Sequence, residues 1–373
     1  MPLNNCDRAQ HGHYLRSPTR TGVLALALLA LVMAACGVRG PDAAYDQYLG
    51  RLARTLATAP GQPETPVATA LPAPRELHLA IQPGNLDALD FLALSGCAVQ
   101  ITIGKRNSSL GRLARDSQRL LLELEYLQLA PACIDYQRER GDNALADTLQ
   151  RAWTLKRRQL PASIYNATLG GAEYREFWKK SPVAAADYPA NTGSAVIASL
   201  EAINGHARRW LAGDFTADNR AFEILLGEVA TGDGGALLQA LAVQDGALTA
   251  ANHTVEARLE RGPLCSPGIR PAAADILPNV IRKYFIAGIQ PRAAALNRRL
   301  QELMPPVRAL EQMLGTALPP PYRQWRDQRD AGLARWADAP RRHVTLLQDL
   351  QRPCGTNPGQ AGTPQSEAEP RGN

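Results

Sequence analysis

The 373-residue chain has few aromatic side chains: 5 Phe, 5 Trp and 10 Tyr. That scarcity leaves no stacking ladder of the kind that holds single-stranded nucleic acid. Trp153, Trp178, Trp210, Trp325 and Trp336 are spaced instead as core or interface anchors. Charge of one sign is weak as well. The 41 Lys and Arg against 35 Asp and Glu leave a formal +6, short of the dense basic patch that nucleic acid requires. No nucleic-acid partner is expected. Metal-ligand spacing is missing, because no two cysteines stand close together and His78, His206, His253 and His343 are scattered. The "GDGG" run at 232–235 lacks the lysine and the serine or threonine that complete a phosphate loop. These patterns assign no metal, no cofactor and no catalytic residue. No apolar run reaches the about 20 residues that a stable membrane-spanning helix needs.

What is present starts with an export signal. Arg8, Arg16 and Arg20 precede an uncharged apolar core from Val23 to Ala35. Its length fits a signal-peptide core, about 7 to 15 residues behind basic residues, and a short membrane anchor is the alternative. The core ends in "VMAACG", which resembles the bacterial lipobox. Met33 takes the apolar position, Ala34 and Ala35 the small ones, and Cys36 the lipidated one. The resemblance implies that Cys36 becomes the mature N-terminus and carries acyl chains such as palmitate, enough for stable anchoring. Gly37 follows where inner-membrane lipoproteins carry aspartate. The implied location is the periplasmic face of the outer membrane.

Cysteine usage agrees with an oxidising compartment. Beyond Cys6 and Cys36, four cysteines remain: Cys97, Cys133, Cys265 and Cys354. An even number in an exported chain favours disulfides. Two lie in each half, and local pairing gives Cys97–Cys133 and Cys265–Cys354.

Hydrophobic spacing over the rest is helical. A helix is expected over residues 41–57. A proline-rich extended connector follows over 59–75. Leu77, Leu79 and Ile81 alternate as a short strand would, or form an extended lead-in, since no strand partner is evident. Asn85 is a candidate cap for a buried helix. Further helices are expected over about 112–129, with Arg112 and Asp116, and Arg119 and Glu123, as i,i+4 charge pairs and Pro131 at its end, and over 143–160, followed by a loop from Pro161 to Gly171. The C-terminal half predicts helices near 193–211, 217–230, 234–261, 274–287, 291–314, 321–337 and 340–351, with Pro305 and Pro306 kinking or breaking one of them. The fold class is therefore all-α, an elongated multi-helix bundle in two halves. The alternative is α+β with one short N-terminal strand pair. The expected layout is a signal over 1–35, a lipidated N-terminus with helix and connector over 36–75, one helical domain over 76–354 with halves of about 76–183 and 190–354, and a disordered tail over 355–373.

One polar stretch stands out among the leucines. Residues 105–111 read "KRNSSLG". Three readings compete for Lys105, Arg106, Asn107, Ser108 and Ser109. A nucleophilic serine needs a base and an orienting group, which the string does not supply. An anion site needs Ser108 or Ser109 as a helix cap, with the two bases beside free amides. A structural joint needs backbone hydrogen bonds at the turn and a carboxylate for Arg106.

The run "LDFLALSGCAVQITIGKRNSSLGRLARDSQRLLLELEYL", with Cys133 after it and "YNATLG" further on, resembles an uncharacterised lipoprotein family of Gram-negative proteobacteria, domain of unknown function 3080. The likeness is densest from about residue 86 to 170. The family carries a tryptophan before the asparagine where this chain has Tyr165. It implies a location and one shared architecture, and it brings no activity or site residue with it. The leading expectation is a non-catalytic binding or scaffold lipoprotein with an envelope protein or peptidoglycan partner. An envelope hydrolase or transferase acting on peptidoglycan or lipid, and a carrier of an apolar ligand, are the alternatives.

Overall fold

Leucine and alanine at helical spacing carry most of the chain into helices. The computed structural model describes residues 41–82, 88–179, 188–190 and 192–355. Among these there is no β-strand, only an isolated bridge between Ser266 and Ile269. The fold is all-α. Cys36, Asn85 and most of the expected tail lie outside the described residues.

Helix α1 spans Pro41–Leu56. Two short helices follow, α2 (Pro74–Leu77) and α3 (Ala88–Ala93). Helix α4 (Val99–Asn107) meets the four-residue α5 (Ser109–Arg112) at the polar stretch. Helices α6 (Asp116–Glu139) and α7 (Asn143–Ala167) form a long hairpin, and α8 is Ala172–Phe177. The remainder comprises α9 (Ala195–Ala212), α10 (Asn219–Ala230) and α11 (Gly234–Leu259). After α12 (Ala272–Val280) a π-helical turn runs over Ile281–Ile286. Helices α13 (Gln290–Met313), α14 (Pro320–Ala337) and α15 (Ala339–Gln351) complete the chain.

Three apolar cores hold these elements. The central one joins α6, α7 and α9 to α11, α13 and α14, so residues from both halves of the chain build it. A second core packs α1 against the C-terminal part of α11, α12 and α15. The third lies between α4 and the distal ends of α6 and α7. Helix α11 is buried on all sides, with Leu237, Leu241, Leu248 and Val255 among its covered residues, as an apolar helix at the middle of a fold must be. The two outer cores each carry a disulfide. Cys97–Cys133 has Cα atoms 5.4 Å apart and Cys265–Cys354 5.1 Å.

The expectation that prolines end helices fails at Pro131 and Pro161, and the helix with Pro305 and Pro306 is not broken by them. Pro131 lies inside α6, Pro161 inside α7, and Pro305 with Pro306 inside α13. A proline in a helix interior costs about 3 kcal/mol through its lost donor and its ring clash. Burial on both sides offsets this. Ala130, Cys133 and Ile134 flank Pro131, and Leu160, Ser163 and Ile164 flank Pro161. The segment expected to be a loop from Pro161 is thus helix as far as Ala167.

The expected strand is not one, yet its extended backbone is paired. Asn166 on α7 accepts from Leu79 N at 3.0 Å and donates to Leu79 O at 2.8 Å. Two helical turns earlier, the Gln159 amide, turned to satisfy both groups, does the same for Gln82. Side-chain amides stand in for a neighbouring strand. The proline-rich connector is a strap laid along α11. Gly61 N donates to Thr254 Oγ1 at 3.0 Å, Trp325 Nε1 to Thr69 O at 3.0 Å, and Arg175 Nη2 to Pro72 O at 2.7 Å. Prolines supply few donors, so the strap is held chiefly through its carbonyls.

Candidate functional site

The polar stretch at 105–111 sits where α4 ends, α5 turns and α6 passes beneath. Arg106 Nε lies 2.7 Å from Glu123 Oε1 on α6. The other oxygen of Glu123 takes the ammonium of Lys156 from α7. Glu123 and Lys156 are buried, and the Lys156 ammonium sits 5.1 Å from the centre of the Tyr126 ring. Burial, together with the positive charge of Arg106, holds the Lys156 pKa below its usual value, against the pull of Glu123. One carboxylate therefore ties three helices together, with both oxygens engaged.

Ser108 is the cap. Its Oγ accepts from Gly111 N at 3.0 Å and donates to Lys105 O at 2.7 Å. Ser109 is the exposed first residue of α5. Lys105 reaches Glu125 at 3.1 Å on the surface. Asn107 is exposed and lines a cleft of about 410 Å³ together with His78, Arg106, Gly111, Arg112, Asp116, Arg119, Glu123, Ser163 and Asn166. His78 faces Asp116 at 3.5 Å. Arg119 donates to Arg112 O at 2.7 Å, and among the described residues neither guanidinium has a carboxylate within ion-pair distance. The cleft thus offers two guanidiniums without carboxylate partners among the described residues, beside Glu123, whose oxygens are both engaged, and Asp116, which faces His78. Paired guanidiniums suit an anion.

Elsewhere the buried polar groups close on themselves. Glu311 accepts from Arg329 Nη1 and Nη2 at 2.7 and 2.9 Å and from Tyr322 Oη at 2.6 Å. The Arg329 guanidinium is 5.1 Å from the Trp178 ring and 4.9 Å from the Trp325 ring. Asp233 takes Arg299 in a forked pair at 2.9 and 2.5 Å and Tyr188 Oη at 2.7 Å. Asp245, in mid-α11, binds Arg335 and Arg342 from the neighbouring helices. His343 is fully covered, 2.6 Å from Tyr48 Oη and 2.7 Å from Asn252 Oδ1. Desolvation pushes its pKa down to about 3, so the ring is neutral, with Nδ1 donating to the amide oxygen and Nε2 accepting from the phenol.

None of these clusters was legible in the residue pattern, because their partners stand far apart along the chain. The "GDGG" turn has a packing cause. A β-carbon on Gly232, Gly234 or Gly235 would collide with the Phe177 ring or the Lys179 carbonyl. Among the described residues there is no group of three or more metal-ligating side chains and no helix long and apolar enough to cross a membrane.

A family model described as a protein of unknown function, DUF3080, matches residues 45–358, and the chain belongs to that family. No curated protein and no solved structure gives a significant match.

Proposed function

For this member of the DUF3080 family, we propose a role as a lipid-anchored, non-catalytic binding protein on the periplasmic face of the outer membrane, whose cleft beside Arg106 receives a small anionic group of an envelope component. The observation that carries the binding reading is the pair Arg112 and Arg119, which line the cleft without carboxylate partners among the described residues while Glu123 is taken by Arg106 and Lys156. Guanidinium groups recognise carboxylates and phosphates through paired donors. The anchoring part is supported by the uncharged core that ends in "VMAAC" and by two disulfides, which persist in an oxidising compartment.

Calorimetric titration with inorganic phosphate tests the cleft. Wild-type protein is expected to bind, and Arg112→Gln/Arg119→Gln is expected to lose the heat signal, with a melting midpoint lowered less than that of Arg106→Ala. Equal titration of both proteins refutes the assignment. Metabolic labelling with a fatty acid tests the anchor. Label should enter the wild type and be absent from Cys36→Ser, and equal labelling of the two ends the lipoprotein reading.

A carrier role for an apolar ligand has one observation in its favour. A pocket of about 400 Å³ opens between the strap and α11, walled by Val67, Leu71, Trp178, Leu238 and Trp325. Quenching of tryptophan fluorescence by a brominated fatty acid would support it, and an unchanged spectrum would remove it.

A further inference from the structure

Helix α5 turns its leucines outward. Leu110 is 83% and Leu113 84% exposed. Residues three apart share a helix face, so the two form one apolar point. That point is rigidly set. Ser108 caps α5, Arg119 holds the Arg112 carbonyl, and a β-carbon on Gly111 would collide with the carbonyl oxygens of Lys105 and Arg106. Close seating on the last turn of α4 fixes where α5 lies, with Leu110 in its first turn and Leu113 at its C-cap.

The surroundings are basic. Arg112 has no acidic partner among the described residues, Arg115 is largely exposed and only 3.5 Å from Glu173, and Lys105 shares the same joint with Glu125. Gly111 and Arg112 also line the cleft. One short helix therefore supplies both an apolar point and part of an anion site.

We propose that the anionic group received by the cleft is the headgroup phosphate of a membrane lipid, met at a bilayer surface into which Leu110 and Leu113 insert. The inference rests on the cleft reading above and is independent of the acyl chains on Cys36. Two leucine side chains fall far short of the about 1,000 Å² that a stable protein–protein interface requires. Leucine flanked by arginine is instead the composition that enters the boundary between headgroups and acyl chains. The arginine stems lie along apolar surface while their charged ends reach phosphate, and an anionic leaflet draws such groups in.

The test uses the chain from residue 37, which retains all three cores and lacks the lipid. It is floated with vesicles of phosphatidylcholine alone or mixed with phosphatidylglycerol. The proposal expects binding to the mixed vesicles and little to the neutral ones. Each of Arg112→Gln and Arg119→Gln should weaken that binding about fivefold, the effect of one basic residue at an anionic surface. Leu110→Asn/Leu113→Asn should weaken it by more than about tenfold, since these side chains supply the apolar insertion. Both leucines are exposed, so the melting midpoint should stay in place and show that loss of binding is not loss of fold. Retained vesicle binding in the leucine variant overturns the proposal, as does equal binding to neutral vesicles. Wild-type protein that titrates phosphate and ignores the mixed vesicles overturns the lipid assignment and leaves the cleft reading standing. Failure to bind either removes both.

Discussion

Two buried carboxylates, Glu123, met by Arg106 and Lys156, and Glu311, met by Arg329, Tyr322 and Tyr174, differ in what lies beyond. Glu311 is sealed. Arg329 is fully covered between two indole rings, and Tyr322 and Tyr174 continue the network inward. Glu123 sits at the floor of a cleft, and its Arg106 partner is 30% exposed. Desolvation of a sealed pair is costly, and the pair holds only while every member is satisfied. The open pair is partly hydrated and neighbours two free guanidiniums. The sealed cluster fixes how α13 and α14 pack, whereas the open one fixes a joint and leaves an accessible surface beside it.

The largest expected effect breaks the sealed side. Arg329→Ala should cost about 3–5 kcal/mol, because Glu311 would remain buried with a hydroxyl as its main donor. Chemical denaturation measures it, and a loss below about 1 kcal/mol would mean that water or a neighbour replaces the arginine. Acid should act on the other sealed group. The folded pKa of His343 is about 3, below the usual about 6.5 of the unfolded chain. The unfolded state therefore takes up a proton first as pH falls, and stability is full above about 6.5 and drops by up to about 1.4 kcal/mol per unit down to the folded value. Unfolding curves between pH 7 and 5 should show that slope, and His343→Leu should flatten it. On the open side, Arg106→Ala should cost only about 1–2 kcal/mol, since Lys156 still satisfies Glu123. The smallest effect separates two neighbouring hydroxyls. Ser108→Ala should cost about 1 kcal/mol as a lost cap, and Ser109→Ala, at an exposed first position, should cost almost nothing.

Much of this fold could be read from local pattern, and the exceptions share a cause. The helices of the C-terminal half follow from spacing, and of the three pairings that four cysteines allow the local one is the one observed. Pro131 and Pro161 were misjudged because a local penalty of about 3 kcal/mol says nothing about burial on the flanks. Leu77 to Ile81 suggested a strand because extended backbone needs partners, and the partners turned out to be amides on α7. At the candidate site, position marked Arg106 and Ser108, whereas i,i+4 spacing wrongly gave Asp116 to Arg112 and Glu123 to Arg119, because Glu123 is taken by Arg106 and by Lys156 from another helix. Lys156 meets Glu123 across 33 residues and His343 meets Tyr48 across 295. Pairings of that range are set by the packed helices, and no single segment carries them.

We propose that the polar joint divides its labour: Arg106 holds the fold, and Arg112 with Arg119 receive the anion. Melting midpoints of Arg106→Ala and of Arg112→Gln/Arg119→Gln, each taken with and without inorganic phosphate, test it most directly. Arg106→Ala should show a lowered midpoint that phosphate still raises, and the double variant a smaller shift that leaves a midpoint phosphate no longer moves. An unshifted midpoint for Arg106→Ala, or a phosphate response that survives in the double variant, would contradict it.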